Sequence, residues 1–121
     1  MRGCRLVLLS FGLCLWASMA SAQATQTSRF ALDQGAPDLA TAQSYTYRVY
    51  ADGAATGATI AMICTGTASP FVCTALVGAF TPGSHTVTFT AANVAGESPK
   101  SAPLTFTMVI IPAVPLNPRI Q

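Results

Sequence analysis

Apolar and polar side chains alternate with a period of two along the middle of the chain. From residue 45 to residue 51 the odd-numbered positions are apolar or aromatic, and Asp52 and Gly53 follow as a turn signal. Residues 85–91 alternate in the same way and place Val87 and Phe89 on one face. Successive side chains of a strand point to opposite faces, so a period of two is typical of a half-buried β-strand.

Three other apolar runs predict further strands. They cover residues 58–64, 71–76 and 104–110, and segments rich in Gly, Pro, Ser and Asn separate them. No segment with a helical period is long enough to connect two parallel strands. The sequence therefore predicts an all-β fold over residues 45–111, a small antiparallel β-sandwich of about five to seven strands.

The segment before this region, residues 23–44, is polar and rich in Gln and Ala. Only Phe30 and Leu32 are suited to anchor it to a core. We expect a weakly ordered N-terminal segment here, with an edge strand as the alternative.

The C-terminal residues 112–121 carry proline at every third position, at Pro112, Pro115 and Pro118. Proline has no backbone N–H to donate and favours an extended chain, so this segment is predicted to be a proline-rich tail. A linker without regular structure is one interpretation. The other is that residues 116–120 fold back, or add to a neighbouring molecule, as an edge strand, a position where proline is tolerated.

The N-terminal residues have the three features of a secretory signal. Arg2 and Arg5 precede an apolar run over residues 6–16, which is too short to span a bilayer. Ala20 and Ala22 then supply the two small residues of a signal-peptidase site.

We therefore expect residues 1–22 to be a signal peptide that is removed before Gln23. An uncleaved membrane anchor is the alternative. The predicted location is secreted, periplasmic or at the cell surface, with no membrane span after cleavage.

Removal of this signal changes the charge balance, because two of the six basic residues leave with it. The remaining chain is formally neutral. Its charged residues are Arg29, Arg48, Lys100, Arg119, Asp33, Asp38, Asp52 and Glu97. No basic stripe remains for the phosphates of a nucleic acid, so no nucleic-acid partner is expected.

The cysteines divide in the same way: Cys4 and Cys14 lie in the signal, and Cys64 and Cys73 lie in the exported chain. A pair of cysteines in a small exported domain predicts a disulfide. Closing so short a loop stabilises the fold by about 2.5 to 3 kcal/mol on the chain-entropy model. A redox pair requires closer spacing, and a metal site requires further ligands.

Candidate catalytic chemistry is sparse. His85 is the only histidine, and its position after a turn favours a structural hydrogen-bonding role over that of a general base. Adjacency alone does not build a triad from Ser84 and Thr86. Asp52 and Glu97 fall in predicted turns. We therefore expect no enzyme activity, no cofactor and no catalytic, cofactor-binding or metal-binding residues.

Residues 81–101 resemble the last third of a fibronectin type III domain. That family runs from a Pro-Gly turn into strand F, then through an A-x-N-x-x-G-x-S loop into strand G, and Ala91 to Ser98 carry this loop motif. Residues 47–50 resemble the strand C of the family.

The chain also departs from the fibronectin pattern. The family tryptophan has no counterpart, since Trp16 lies in the signal, and His85 takes the place of the corner tyrosine. The pair of Cys64 and Cys73 is not general in the family. The chain also resembles compact, reduced bacterial exported Ig-like modules, in which a Tyr-rich strand that ends in Asp-Gly precedes a Cys pair and a P-G-x-H turn. The resemblance implies a fibronectin type III or Ig-like β-sandwich.

The resemblance implies a non-enzymatic exported module, structural or binding, that contacts a protein or a polysaccharide at the cell surface or outside the cell. The alternative is a secreted inhibitor or adhesion subunit that pairs through a free sheet edge.

Overall fold

The structure, a computed structural model, describes residues 22–121. The predicted signal peptide lies outside the described residues except for Ala22. The described chain forms nine strands and one short helix: β1 (Ala22–Ala24), β2 (Arg29–Gln34), α1 (Leu39–Ser44), β3 (Thr46–Ala51), β4 (Ala58–Ile60), β5 (Ile63–Thr65), β6 (Phe71–Leu76), β7 (Gly83–Asn93), β8 (Gly96–Glu97) and β9 (Leu104–Met108).

The strands form two sheets, as the sequence predicts for an all-β sandwich. The larger sheet has the order β1-β9-β7-β3-β4, with β8 paired to the end of β7, and the smaller sheet has the order β2-β6-β5. The pairing of β1 with β9 is parallel, whereas every other pairing in the described chain is antiparallel.

The core lies between the two sheets and centres on phenylalanine rings. Phe30 of the smaller sheet meets Phe89 and Phe106 of the larger sheet edge to face, with centroids 5.2 and 5.6 Å apart. Phe80 completes the cluster at 5.3 Å from Phe106. Edge-to-face contacts are favourable beyond the area that they bury, so this cluster joins the sheets.

The alternating segments lie where the sequence predicts them. In β3 the inward side chains begin with Tyr47, which is 2% exposed, and in β7 they include Val87 and Phe89. The predicted strand over residues 45–51 begins one residue late, because Tyr45 is the C-cap of α1.

The single strand predicted over residues 58–64 is wrong. The chain forms β4, which pairs with β3 in the larger sheet, and then β5, which pairs with β6 in the smaller sheet. Ala61 and Met62 carry the chain from one sheet to the other, and Met62 is buried in the core. An apolar run has the same composition whether it stays in one sheet or crosses between two.

The N-terminal segment contributes more structure than its composition predicts. All six residues of β2 pair with β6, and Phe30 is 4% exposed at the centre of the core. The helix α1 begins at Asp38, whose side-chain carboxylate accepts a hydrogen bond from the Thr41 N–H. Both β1 and β2 lie at sheet edges.

The tail forms no strand. Val109 N–H donates to the Ala24 carbonyl, and every residue from 110 to 121 is exposed. The interpretation of residues 116–120 as an edge strand of this chain is therefore wrong. Within residues 22–121, the structure has no helix with the length and apolar character needed to cross a membrane.

Candidate functional site

His85 lies near the start of β7, and its ring contacts the rings of Phe80 and Phe106. Its side chain is 11% exposed. Nδ1 donates to Asp52 Oδ2 at 2.7 Å, and Nε2 donates to the backbone carbonyl of Thr81 at 2.6 Å. Carboxylate and carbonyl oxygens only accept hydrogen bonds, so this arrangement requires a proton on both ring nitrogens.

The electrostatics agree with a charged imidazole. The hydrogen bond to Asp52, assisted by the one to Thr81, raises the pKa of His85 above its ordinary value. The same bond, with a second from the Thr86 N–H, lowers the pKa of the Asp52 carboxyl. In this geometry neither nitrogen has a free lone pair with which to accept a proton from a substrate.

A tight turn holds Asp52 in place. Asp52 and Gly53 both have positive φ, 53° and 76°, and the Ala54 N–H donates to the Ala51 carbonyl at 3.0 Å. Two central residues with positive φ define the turn that matches the twist of a β-hairpin, where Asp-Gly is favoured. The sequence signal at Asp52 and Gly53 thus positions the partner of His85.

A second polar cluster surrounds Glu97 on the outer face of the larger sheet. Tyr50 and Thr90 each donate a hydroxyl to Glu97 Oε1 at 2.5 Å, and Arg48 Nη1 lies 3.5 Å from Oε2. The hydrogen bond from Thr90, followed by that from Tyr50, lowers the pKa of the Glu97 carboxyl. The Glu97 carboxylate is thus engaged by three side chains of its own chain.

Tyr50 has two further close neighbours. Lys100 Nζ lies 4.3 Å from the centroid of its ring, and a Cβ at Gly57 would lie 2.7 Å from its Cζ atom. The hydrogen bond to Glu97 raises the pKa of the Tyr50 hydroxyl. This cluster fixes β8 against β3 and β7.

Beside this cluster, at one end of the sandwich, lies an open groove of about 350 Å³. We call it the loop-end groove. Its side walls come from the end of β2, the residue after α1 and the β7–β8 hairpin. The lining residues are Gln34, Tyr45, Ala91, Ala92, Asn93, Ala95, Gly96, Glu97 and Ser98.

The groups that face this groove are mostly neutral. Tyr45 supplies a half-buried ring, which contacts Tyr47 with centroids 6.4 Å apart. Asn93 caps the hairpin turn by accepting from the Ala95 N–H, and Val94 at the tip is fully exposed. A neutral wall with one aromatic ring suits a ligand rich in hydroxyl groups better than a charged one.

The disulfide lies beneath this end of the molecule. Cys64 and Cys73 are directly opposite each other in β5 and β6, and the structure joins them as the sequence predicts. Cys73 is 0% exposed. The Tyr47 hydroxyl donates to the Ala42 carbonyl at 2.7 Å and lies 3.5 Å from each of the two sulfurs. Burial raises the pKa of this hydroxyl.

Gln43 is a structural residue that the sequence did not indicate. Its Nε2 donates to the Met62 carbonyl and its Oε1 accepts from the Cys64 N–H, both at 2.7 Å. The side-chain amide thus bonds the backbone groups of Met62 and Cys64 that a neighbouring strand would otherwise bond, at the point where the chain passes from one sheet to the other. A lone glutamine in a polar segment carries no periodic signal for such a role.

The remaining sequence candidates lie apart from these clusters. Asp38 caps α1, and Asp33 lies on β2 at the surface. Among residues 22–121 no group of three or more His, Cys, Asp or Glu is arranged to hold a metal ion. Comparisons of this chain with protein-family models, with curated proteins and with solved structures found no match.

Proposed function

We propose that this chain is an exported, non-enzymatic binding module whose loop-end groove contacts a neutral polysaccharide at the cell surface or outside the cell. The proposal rests on the composition of this groove. It joins the Tyr45 ring, the Gln34 and Asn93 side-chain amides and the Ser98 hydroxyl in one open site. Rings contribute apolar contact, while amides and hydroxyls exchange hydrogen bonds with sugar hydroxyls.

Charge supports a neutral ligand. Without residues 1–22 the chain is formally neutral, and Glu97, the only carboxylate among the described residues that line the groove, contacts Tyr50, Thr90 and Arg48. Long-range attraction of a charged polymer has no source here. A protein ligand would instead use the exposed Val94 tip, which stands outside the groove.

We further propose that the sandwich is Ig-like. The orders β2-β6-β5 and β9-β7-β3-β4 match the orders B-E-D and G-F-C-C′ of that architecture. The bond from His85 to the Thr81 carbonyl, four residues upstream, serves the purpose of the corner tyrosine. The disulfide departs from the Ig pattern, because it joins neighbouring strands of one sheet.

Export is part of the same proposal. Cleavage after Ala22 leaves Gln23 and Ala24 to pair with Thr107 and Met108 of β9. The intact mass of the exported protein tests this directly. A mass that begins at Gln23, with or without cyclisation to pyroglutamate, is expected, and recovery of the full-length chain in membranes contradicts it.

Binding is tested by native electrophoresis in gels that contain a neutral polysaccharide, run in parallel for cellulose derivatives, glycol chitin and soluble glucans. Tyr45→Phe keeps the ring and is expected to be retarded like the wild type. Tyr45→Leu removes it and is expected to bind roughly two- to tenfold more weakly. Gln34→Ala is expected to weaken binding, whereas Gln26→Ala, exposed and outside the groove, serves as its control.

A second candidate function is favoured by a different observation. The smaller sheet ends at β2, whose outer side pairs with no other described strand. A subunit that associates through this free edge remains the alternative to a module that binds through its loops.

A further inference from the structure

The free edge at β2 differs from the other sheet edges of the described chain. The strands β1, β4 and β5 are three residues long, and short edges resist pairing. β2 is six residues long, contains no proline and keeps an unbroken register with β6. A groove of about 130 Å³ leaves space beside it, between Leu32 and Pro99.

One hydrogen bond shows which backbone groups face this edge. The Val77 N–H donates to the Ser28 carbonyl at 2.8 Å, so Ser28 and Val77 form a hydrogen-bonded pair in the antiparallel register. Such pairs alternate with non-bonded ones. Phe30, Leu32 and Gln34 therefore bond to β6, while the N–H and C=O groups of Arg29, Ala31 and Asp33 point away from it.

The same three residues present their side chains on the exposed face of the smaller sheet. Arg29 and Asp33 have opposite charges and flank the small Ala31. Neither side chain has a hydrogen bond or ion pair with another residue of the described chain. Two unpaired charges on a free edge commonly prevent association, unless a partner strand matches them.

We propose that β2 pairs antiparallel with β2 of a second copy of this chain, about a two-fold axis at Ala31. Arg29 then lies opposite Asp33 of the partner subunit, and Asp33 opposite the partner subunit's Arg29. The outward N–H and C=O groups of all three residues form hydrogen bonds across the axis. The two three-stranded sheets join into one sheet of six strands.

Other registers do not match. Moving the axis to Phe30 places Arg29 opposite Ala31 of the partner subunit, and moving it to Leu32 leaves Asp33 opposite the partner's Ala31. A parallel, in-register pairing sets like charges side by side, which is destabilising. The self-complementary arrangement is the isologous contact that a two-fold dimer requires. This inference rests on the second candidate function and names its partner; loop-end binding does not depend on it.

The test is the mass of the purified exported protein by sedimentation equilibrium over a concentration series. The wild type is expected to shift from monomer to dimer. Arg29→Asp and Asp33→Arg each place like charges together at both ends, and each is expected to weaken the dimer about tenfold or more. A mixture of these two variants restores opposite charges, so it is expected to form the heterodimer. The double variant, which carries Arg29→Asp and Asp33→Arg in one chain, restores them too and is expected to form a homodimer.

Hydrogen exchange supplies a readout that a change in folding alone would not give. With rising concentration, the amides of Arg29, Ala31 and Asp33 are expected to gain protection, while those of Phe30 and Leu32 are protected throughout. Circular dichroism confirms that each variant is folded. A wild type that stays monomeric overturns the proposal, as does a dimer that survives both single reversals or a mixture that does not associate. If the protein stays monomeric and binds a different chain at this edge, the edge belongs to that partner, and the proposal of a dimer is overturned.

Discussion

His85 Nδ1 and Asp52 Oδ2 lie 2.7 Å apart, so the start of β7 is tied to the turn that follows β3. The pair joins two segments that are 33 residues apart in sequence. Its stabilising effect depends on pH through both partners.

The pKa of His85 is raised in the fold, so its contribution is complete below about pH 6.5 and is lost as pH rises through the raised value. The pKa of Asp52 is lowered, so its contribution is complete above about pH 4 and is lost as pH falls through the lowered value. We expect the pair to stabilise the fold most between these limits.

Asp52→Asn tests this coupling and keeps a residue that tolerates the positive φ of the turn. NMR titration of the wild type is expected to give His85 a pKa above that of an unperturbed histidine, and the variant a lower one. The melting temperatures of the two proteins should also converge as the pH rises above the His85 pKa. An identical titration in both proteins would show that the hydrogen bond does not act in solution.

Gln43 is expected to stabilise the crossing between the sheets. Gln43→Ala removes both hydrogen bonds to Met62 and Cys64 and should lower the free energy of unfolding by about 1 kcal/mol. Alanine is the better helix former, so helix propensity cannot explain a loss. Urea unfolding measures the difference, with the exposed Gln26→Ala as control. Equal stability of the two variants would contradict the role assigned to Gln43.

The disulfide should resist chemical attack in the native state, because Cys73 is fully buried and Cys64 is 5% exposed. The exported protein is expected to show no thiol that reacts with a thiol reagent before reduction. Replacing both cysteines with alanine should cost about 2.5 to 3 kcal/mol on the chain-entropy model. Full reactivity of the unreduced protein would rule out the bond.

Removal of residues 112–121 should leave the fold intact. These residues form no strand and are exposed, and the last backbone contact before them is made by Val109. The truncated chain is expected to melt at the wild-type temperature and to keep the same oligomeric state. A drop of several degrees would make the tail part of the fold.

The sequence predicts strands well where one face is buried and the other is not. β3 and β7 alternate because Tyr47 and Val87 face the core while Arg48 and Thr86 face outward. This local signal does not depend on the partner strand.

Other parts of the fold depend on contacts between distant segments. The apolar residues of β2, Phe30 to Leu32, are consecutive and do not alternate with polar ones, and the place of β2 in the core comes from Phe30 meeting rings of the other sheet. The split between β4 and β5 depends on which sheet each half joins. The loop-end groove brings Gln34, Tyr45 and Asn93 together from three segments, so no local pattern marks it.

Binding at the loop-end groove is tested most directly by NMR titration of the isotope-labelled exported protein with cello-, chito- and gluco-oligosaccharides. Binding of a neutral saccharide predicts saturable shifts of the amides of Gln34, Tyr45, Asn93 and Ser98 with at least one of these sugars, and a dissociation constant that is roughly two- to tenfold higher in Tyr45→Leu. Absence of shifts at these residues with every sugar would contradict the proposed function, as would an unchanged dissociation constant in Tyr45→Leu.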